Sequence, residues 1–142
     1  MSLVELHLPP DTQFVSLARL VVVTAARRSG MDEERLEDLR IAVSEATTNA
    51  ILSHQRTEEA QRVVLSFGTR PTDEVFQVTI ADAGPGFEPL PADDLVERDW
   101  QMEGGLGITL IRNLTDDVEF VRGEGMQVHL RFGVSLSSNG AS

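Results

Sequence analysis

The sequence predicts a two-layer α/β sandwich, in which three helices cover one face of a mixed, mainly antiparallel sheet. Strand-like segments with alternating apolar residues occur mostly as neighbours joined by short turns, a pattern typical of hairpins. Three segments with apolar residues at helical spacing lie among them. Helices packed on one face of such a sheet bury the apolar surfaces of both layers. The predicted order is β-α-α-β-β-loop-α-β-β.

The first strand and the first helix are marked by their boundaries. Residues 3–8 alternate loosely as a strand, which two prolines end. Asp11 or Thr12 can cap the following helix by accepting a hydrogen bond from a free backbone N–H group. Gly30 is expected to end that helix in the left-handed conformation. The apolar residues between them recur at helical spacing: Phe14, Leu17, Ala18, Val21 and Ala25.

The second helix is predicted to run from Asp32 to about Ser53. Asp32 is a favourable first residue, and two glutamates follow in the first turn, where their charge suits the helix dipole. One apolar stripe runs along this helix: Leu36, Leu39, Val43, Ala46 and Ala50. The polar residues 55–61 are then expected to form a loop.

The second half of the chain is predicted to contain two hairpins. Residues 63–68 and 75–81 are strand-like and flank a turn at 70–73. Residues 118–122 and 126–134 form the second pair of strands. Both hairpins add antiparallel neighbours to the sheet.

A long loop and a short helix separate the two hairpins. Residues 87–103 show no period, and a loop of this length is often functional. The helix is predicted over 106–114, directly after a group of glycines. The tail 135–142 is expected to be frayed.

Length, charge and composition exclude several functional classes for this chain. A chain of 142 residues is expected to form one domain, 1–142. The net charge of −11 argues against direct binding to nucleic acid or an anionic membrane; it either favours a basic partner or simply maintains solubility. The absence of cysteine excludes disulfides and is compatible with a reducing compartment. We expect a cytoplasmic protein, because no long apolar run and no signal peptide are evident.

Glu45 and Asn49 form the first of three motifs that can carry chemistry. They are four residues apart on the second predicted helix, so their side chains share a face. Ile41 and Leu52 flank that face, which indicates a cleft. The amide oxygen suits Mg²⁺, and the carboxylate can take a proton from a hydroxyl or water that attacks a phosphate. Taken alone, the pair is more typical of a solvated helix surface, because Glu and Asn at this spacing are common.

The second motif begins at Asp82, which follows a strand with an apolar face. A carboxylate at the rim of an apolar slot can accept a hydrogen bond from the exocyclic amino group of adenine. Gly84 and Gly86 permit a ligand to approach the backbone closely. Taken alone, a motif of this kind is usually an ordinary turn.

The third motif is the segment Gly104, Gly105, Leu106 and Gly107, at the start of the predicted short helix. Free N–H groups and the helix dipole at such a junction attract phosphate. The spacing is not that of a P-loop, because no Gly-Lys-Ser/Thr follows. A Rossmann fingerprint is also excluded, because no parallel βαβ unit surrounds the glycines.

The three motifs, in this order, resemble the N, G1 and G2 boxes of the superfamily of gyrase B, the heat-shock chaperone, histidine kinases and MutL. The segments that carry the resemblance are 36–51, 82–87 and 103–118. Within the superfamily, the chain resembles the small bacterial anti-sigma factors of sporulation and general stress responses, which are also serine/threonine protein kinases. The sequence of residues 103–107 is most similar to that of the stress-response type.

The resemblance implies a Bergerat-type ATP-binding fold with a Mg²⁺-dependent site. Glu45 is then the catalytic base and Asn49 the Mg²⁺ ligand. The implied adenine contacts are Asp82, Gly84 and Gly86. The implied phosphate-binding segment is Gly104, Gly105, Leu106 and Gly107, under a lid of about residues 88–103. The family binds a sigma factor, phosphorylates a serine or threonine of a STAS-domain anti-sigma antagonist, and usually forms homodimers.

Departures from the family pattern leave alternatives open. Met126 stands where the family commonly has a threonine near the adenine, and the lid differs from that of the sporulation members. These differences motivate an alternative to the kinase: a binding module, gated by nucleotide or independent of it, that sequesters a partner with little kinase activity. A stressosome-type activator kinase of the same fold is a further alternative. No basic residue directly precedes Gly104, so Arg98 and Arg112 are the candidates for neutralising the γ-phosphate.

Overall fold

The computed structural model describes residues 3–55, 62–70, 74–82, 107–122 and 126–134. These residues contain five strands, three α-helices and one 3₁₀ turn. In chain order they are β1 (Val4–Leu8), the 3₁₀ turn (Thr12–Phe14), α1 (Val15–Arg28), α2 (Glu33–Gln55), β2 (Val63–Arg70), β3 (Val75–Asp82), α3 (Gly107–Leu114), β4 (Asp117–Arg122) and β5 (Met126–Gly133). This order confirms the predicted one. The predicted lid, 88–103, and the tail, 135–142, lie outside the described residues.

The strands form one sheet with the order β1-β2-β3-β5-β4. Every neighbouring pair among the described strands is antiparallel, so the parallel pairing that the prediction allowed is not found there. The reason is the chain path after β3. The next strand in the chain, β4, lies at the sheet edge, and β5 then returns between β4 and β3, antiparallel to both.

The core lies between one face of the sheet and the helices. On β2, β3 and β5 every second side chain is almost completely buried: Val63, Leu65, Phe67, Phe76, Val78, Ile80, Val128, Leu130 and Phe132. Helix α2 packs against all three of these strands, with α1 on one side and α3 on the other. Burial of each such side chain contributes about 1.5–3 kcal/mol to folding. The described helices include none with the length and apolar character needed to cross a membrane.

The ends of α1 follow the sequence signals. Asp11 Oδ1 accepts a hydrogen bond of 3.0 Å from the backbone N–H of Gln13, and this cap opens the 3₁₀ turn. Gly30 has a φ of 103°, which only glycine adopts readily. The N–H of Met31 can therefore reach back 3.2 Å to the carbonyl of Ala26. The predicted cap and the predicted stop are both confirmed.

Helix α2 is held at its start by Asp32, whose Oδ1 accepts a 2.9 Å hydrogen bond from the backbone N–H of Arg35. The whole predicted apolar stripe of α2 is buried, and Ala42 and Ile51 widen it. The helix continues to Gln55, two residues beyond the predicted end. The predicted turn at 70–73 begins too early, because Arg70 still pairs with Val75 in the hairpin.

Polar side chains occupy the sheet face away from the helices. Thr79 Oγ1 lies 2.9 Å from Nδ1 of His129, and Gln77 Oε1 accepts a 3.1 Å hydrogen bond from Arg131 Nε. The guanidinium of Arg131 also reaches across to β4, where its two partners are Asp117 and Glu119. Hydrogen bonds among polar side chains thus link three strands on this face.

Candidate active site

Asn49 and Glu45 lie on the part of α2 that turns away from the predicted apolar stripe. Asn49 is only 2% exposed, although it is polar, and Glu45 is half-buried. Of the two apolar residues expected to flank the face, Ile41 is exposed and Leu52 is half-buried. The predicted cleft face is therefore more enclosed at Asn49 than at Glu45.

The amide of Asn49 is the most informative atom group on this face. Its Nδ2 atom is buried and has no hydrogen-bond partner within the described part of the chain. Buried polar groups are nearly always hydrogen-bonded, and leaving one unpaired costs about 1–3 kcal/mol. An unpaired amide at such a position is typical of a ligand-binding site.

A second buried polar atom, Thr47 Oγ1, also has no partner among the described residues. It does not belong to the same site. Thr47 precedes Asn49 by two positions, which places it about 160° away around the helix axis. The carboxylate of Glu45, by contrast, shares the Asn49 face, and no ion pair engages it within the described segments.

The chain path brings Asp82 to the same end of the sandwich as the last turns of α2. Residues 56–62 join Gln55 to Val63, and Val63 is the register partner of Asp82. The backbone of Asp82, the last residue of β3, therefore lies at the sheet end that α2 runs towards. Gln127 of β5 pairs with Ala81, so Met126 begins β5 at this same end.

Helix α3 points its first residue towards that end as well. The Leu114 carbonyl, at the last residue of α3, accepts a hydrogen bond of 3.2 Å from Arg35 in the first turns of α2. Because the two helices also pack along each other, α3 runs antiparallel to α2. Gly107 is thus directed towards the second half of α2, and the free N–H groups at this helix start can bind an anion.

The structure thus brings together the elements that carry Glu45, Asn49, Asp82 and Gly107. The remaining predicted site residues, Gly84, Gly86, Gly104, Gly105 and Leu106, lie outside the described residues, as does Arg98. Arg112 is described, and its guanidinium lies 5.8 Å from the centroid of the Phe120 ring. This contact directs it towards β4.

Sequence reasoning missed a second polar cluster, centred on Arg35 at the opposite end of α2. The Arg35 guanidinium contacts Asp38, Asp116 and the Leu114 carbonyl. The pair Arg35 and Asp38 has the spacing of a helical ion pair, which was a readable signal. No local pattern links Arg35 to residues about 80 positions later in the chain.

Comparison with known proteins decides the family. The model of the histidine kinase-like ATPase domain matches residues 8–132. The chain belongs to this family.

Relatives within the histidine kinase-like ATPase family narrow the assignment. The serine-protein kinase RsbW of Bacillus cereus (strain AH187) is 31% identical over 134 residues, covering 88% of this chain and 81% of that protein. The serine-protein kinase RsbW of Oceanobacillus iheyensis is 32% identical over 134 residues, covering 88% of this chain and 82% of the relative. The family resemblance seen in the sequence and the predicted class of enzyme, a serine-protein kinase, are confirmed.

A solved structure supports the fold of this histidine kinase-like ATPase domain. The crystal structure of the RsbU and RsbW domains of Rv1364c from Mycobacterium tuberculosis superposes with a TM-score of 0.67 at 16% identity. The match covers 94% of this chain and 32% of that one, so this chain spans about a third of the length of that protein. The predicted α/β sandwich is thereby confirmed. Membership of this ATPase family also implies that the chain binds ATP.

Proposed function

We propose that this chain is a Mg²⁺- and ATP-dependent protein kinase that phosphorylates a serine or threonine of a STAS-domain anti-sigma antagonist. The observation that carries the proposal is the buried amide of Asn49, unpaired within the described residues, beside the half-buried carboxylate of Glu45. Together the two groups offer a metal ligand and a base.

Asn49 is proposed to hold Mg²⁺ through its side-chain oxygen. A half-turn of the amide exchanges Oδ1 and Nδ2, so the unpaired position can present the oxygen that this cation prefers. When bound, the ion neutralises phosphate charge on the nucleotide. Mg²⁺ usually takes few protein ligands and completes its shell with phosphate oxygens and water. A single amide on a rigid helix fits this habit.

Glu45 is proposed to act as the general base. Its carboxylate accepts the proton of the acceptor hydroxyl as that oxygen bonds to the γ-phosphorus, and the bond to the bridging oxygen of ADP breaks. The side chain sits one helical turn before Asn49, so base and metal ligand share one face. Half-burial keeps the carboxylate near solvent, where a protein substrate can reach it.

Nucleotide contacts are assigned on the same proposal. Asp82, Gly84 and Gly86 contact the adenine, and Gly104, Gly105, Leu106 and Gly107 bind the phosphates. Residues 88–103 close over the nucleotide as a lid, and 1–142 act as one ATPase domain. The convergence of α2, the end of β3 and the start of α3 supports this arrangement.

The partner side of the proposal is sequestration of a sigma factor by a homodimer in the cytoplasm. The net charge of −11 favours a partner surface that is basic. The test is the affinity for a purified sigma factor, titrated at about 50 and 300 mM salt. The affinity should fall at the higher salt concentration, because attraction between opposite charges weakens as the Debye length shortens. Light scattering on the same samples measures the oligomeric state.

Transfer of ³²P from ATP to a purified STAS-domain antagonist tests the kinase. We expect Glu45→Gln to lower the transfer rate about 10²- to 10⁴-fold while Mg-ATP binding is retained. Glu34→Gln, an exposed glutamate on the same helix, is the matched control and should leave the rate unchanged. Wild-type transfer by Glu45→Gln would exclude Glu45 as the base. Tight Mg-ATP binding with no labelled antagonist would instead favour the non-catalytic binding module.

A further inference from the structure

The Arg35 cluster ties three elements together at the end of the sandwich opposite the candidate site. Arg35 Nη1 lies 2.6 Å from Asp38 Oδ2 on the same helix and 3.2 Å from the Leu114 carbonyl at the end of α3. Its Nη2 lies 2.9 Å from Asp116 Oδ1, and its Cζ lies 4.9 Å from the ring centroid of Phe132 on β5. The Arg35 side chain is 28% exposed, so solvent screens these contacts only in part.

Helix α3 depends on this cluster for its direction. It has eight residues; among its described side chains Ile111 is fully buried, and Leu114 is partly buried against the core. Apolar packing at Ile111 and Leu114, both in the second half of the helix, has no preferred direction, whereas a hydrogen bond fixes the position of a backbone atom. The hydrogen bond from Arg35 to the Leu114 carbonyl supplies this directional contact, and the positive charge of Arg35 suits the negative end of the helix dipole.

When α3 tilts, a displacement at one end of the helix produces a displacement of similar size at the other end. Gly107 is four residues before Ile111, and Leu114 is three after it. A 1 Å shift of Leu114 about Ile111 therefore moves Gly107 by about 1.3 Å in the opposite direction. Because α3 is antiparallel to α2, that movement changes the gap between the start of α3 and the helix face of Glu45 and Asn49.

We propose that Arg35 is a positioning residue, which fixes the start of α3 relative to Glu45 and Asn49 from about 15–20 Å away along α2. This inference rests on the proposed function, since it concerns the same nucleotide site. Arg35 touches neither the nucleotide nor the reacting atoms. It acts by holding the far end of the helix whose first residues bind the phosphates.

The test compares Arg35→Ala and Arg35→Lys with Arg27→Ala. Arg27 is the matched control, because its 3.3 Å ion pair with Glu33 joins α1 to α2 without reaching α3. Calorimetric Mg-ATP titration is run at a temperature where circular dichroism shows every variant folded. The same proteins are then used for phosphotransfer kinetics and for amide hydrogen exchange of residues 107–114.

We expect Arg35→Ala to raise the Kd and the KM for ATP about tenfold, with little change in the KM for the antagonist, since only the phosphate-binding segment is displaced. Arg35→Lys keeps the positive charge but loses the planar guanidinium that contacts several partners at once, and it should raise the Kd for ATP about threefold. Exchange in α3 should accelerate in Arg35→Ala, while α1 is unaffected. Arg27→Ala should match the wild type in all three measurements.

A lowered melting temperature with a wild-type Kd for ATP would show a purely structural role and overturn the inference, as would unchanged exchange in α3. If Arg35→Ala does not fold, Arg35→Lys decides: a wild-type Kd for ATP in that folded variant would also overturn it. Failure of the wild-type chain itself to bind Mg-ATP would overturn the proposed function and this inference together. If the wild type binds Mg-ATP but the Arg35 variants do not behave as expected, only this inference fails and the proposed function stands.

Discussion

The carboxylate of Asp116 accepts a hydrogen bond of 2.6 Å from the backbone N–H of Gly133. Its other oxygen accepts a 2.9 Å hydrogen bond from Arg35, so one side chain joins the turn after α3 to the end of β5 and to α2. A Cβ atom on Gly133 would lie 3.3 Å from this carboxylate, which is tighter than ordinary van der Waals contact. Glycine at this position therefore allows the close approach.

Replacing Asp116 should weaken this corner of the molecule. We expect Asp116→Ala to lower the free energy of unfolding by about 1–2 kcal/mol, because two hydrogen bonds that involve a charged group are lost. Asp117→Ala is the control, because its pair with Arg131 is about as exposed as the pair of Asp116 with Arg35 and should contribute less than about 1 kcal/mol. The larger loss expected for Asp116 comes from the hydrogen bond of the Gly133 N–H. Urea denaturation measures both. Equal losses in the two variants would contradict the structural importance given to Asp116.

Asn49 should show opposite effects on stability and on nucleotide binding. Asn49→Leu removes a buried amide that has no partner in the described part of the chain. The free energy of unfolding should therefore stay level or rise by up to about 2 kcal/mol, while Mg-ATP binding is lost. Thermal unfolding and calorimetry of the same sample provide the two measurements. A marked loss of stability would indicate that the amide serves the core instead.

The N-terminal cap of α2 should contribute measurably to the free energy of unfolding. Asp32→Ala removes the side-chain acceptor for the N–H of Arg35, and it should lower the free energy of unfolding by about 1 kcal/mol. Asp32→Asn keeps a capping oxygen and should cost only a few tenths of that. Chemical denaturation of the two variants distinguishes capping from a general effect of charge. If they are equally destabilised, the dipole and not the cap is responsible.

His129 should make stability depend on pH. Burial, followed by the charge of Arg131, lowers the pKa of His129 below its ordinary value of 6.5, and Glu119 opposes them. The unfolded chain therefore binds this proton at a higher pH than the folded protein does. The contribution to stability is complete above pH 6.5 and is lost as the pH falls towards the folded-state pKa.

The measurement for His129 is the urea midpoint of the wild type and of His129→Gln at pH values from about 5 to 8. Other groups titrate in both proteins, so the difference between the two curves isolates the imidazole. The wild type should lose more stability than the variant below pH 6.5. Parallel curves would show that the pKa of His129 does not differ between the folded and unfolded states.

The local signals in the sequence predicted the elements well because each signal acts over a few residues. Asp11 and Gly30 mark the ends of the first helical segment through one hydrogen bond and one backbone angle. Alternation along β3 identified its buried face without knowledge of the neighbouring strands. The errors are at element ends, such as Arg70, where pairing with Val75 extends the strand into the predicted turn.

The candidate site was predictable only in its parts. Spacing alone put Glu45 and Asn49 on one helix face, but it could not show that Asn49 is 98% buried while its amide lacks a partner among the described residues. The antiparallel course of α3 along α2 depends on contacts between residues about 80 positions apart. A local pattern carries no information on such pairs.

The sequence by itself determined the family, the order of helices and strands, and the residues that can carry the chemistry, because periodicity, caps and motifs are properties of neighbours in the chain. Only the tertiary structure decided the strand order β1-β2-β3-β5-β4 and the Arg35 cluster that anchors α3. Those features depend on which distant surfaces pack together. That choice is made by the burial of the whole core and not by any single segment.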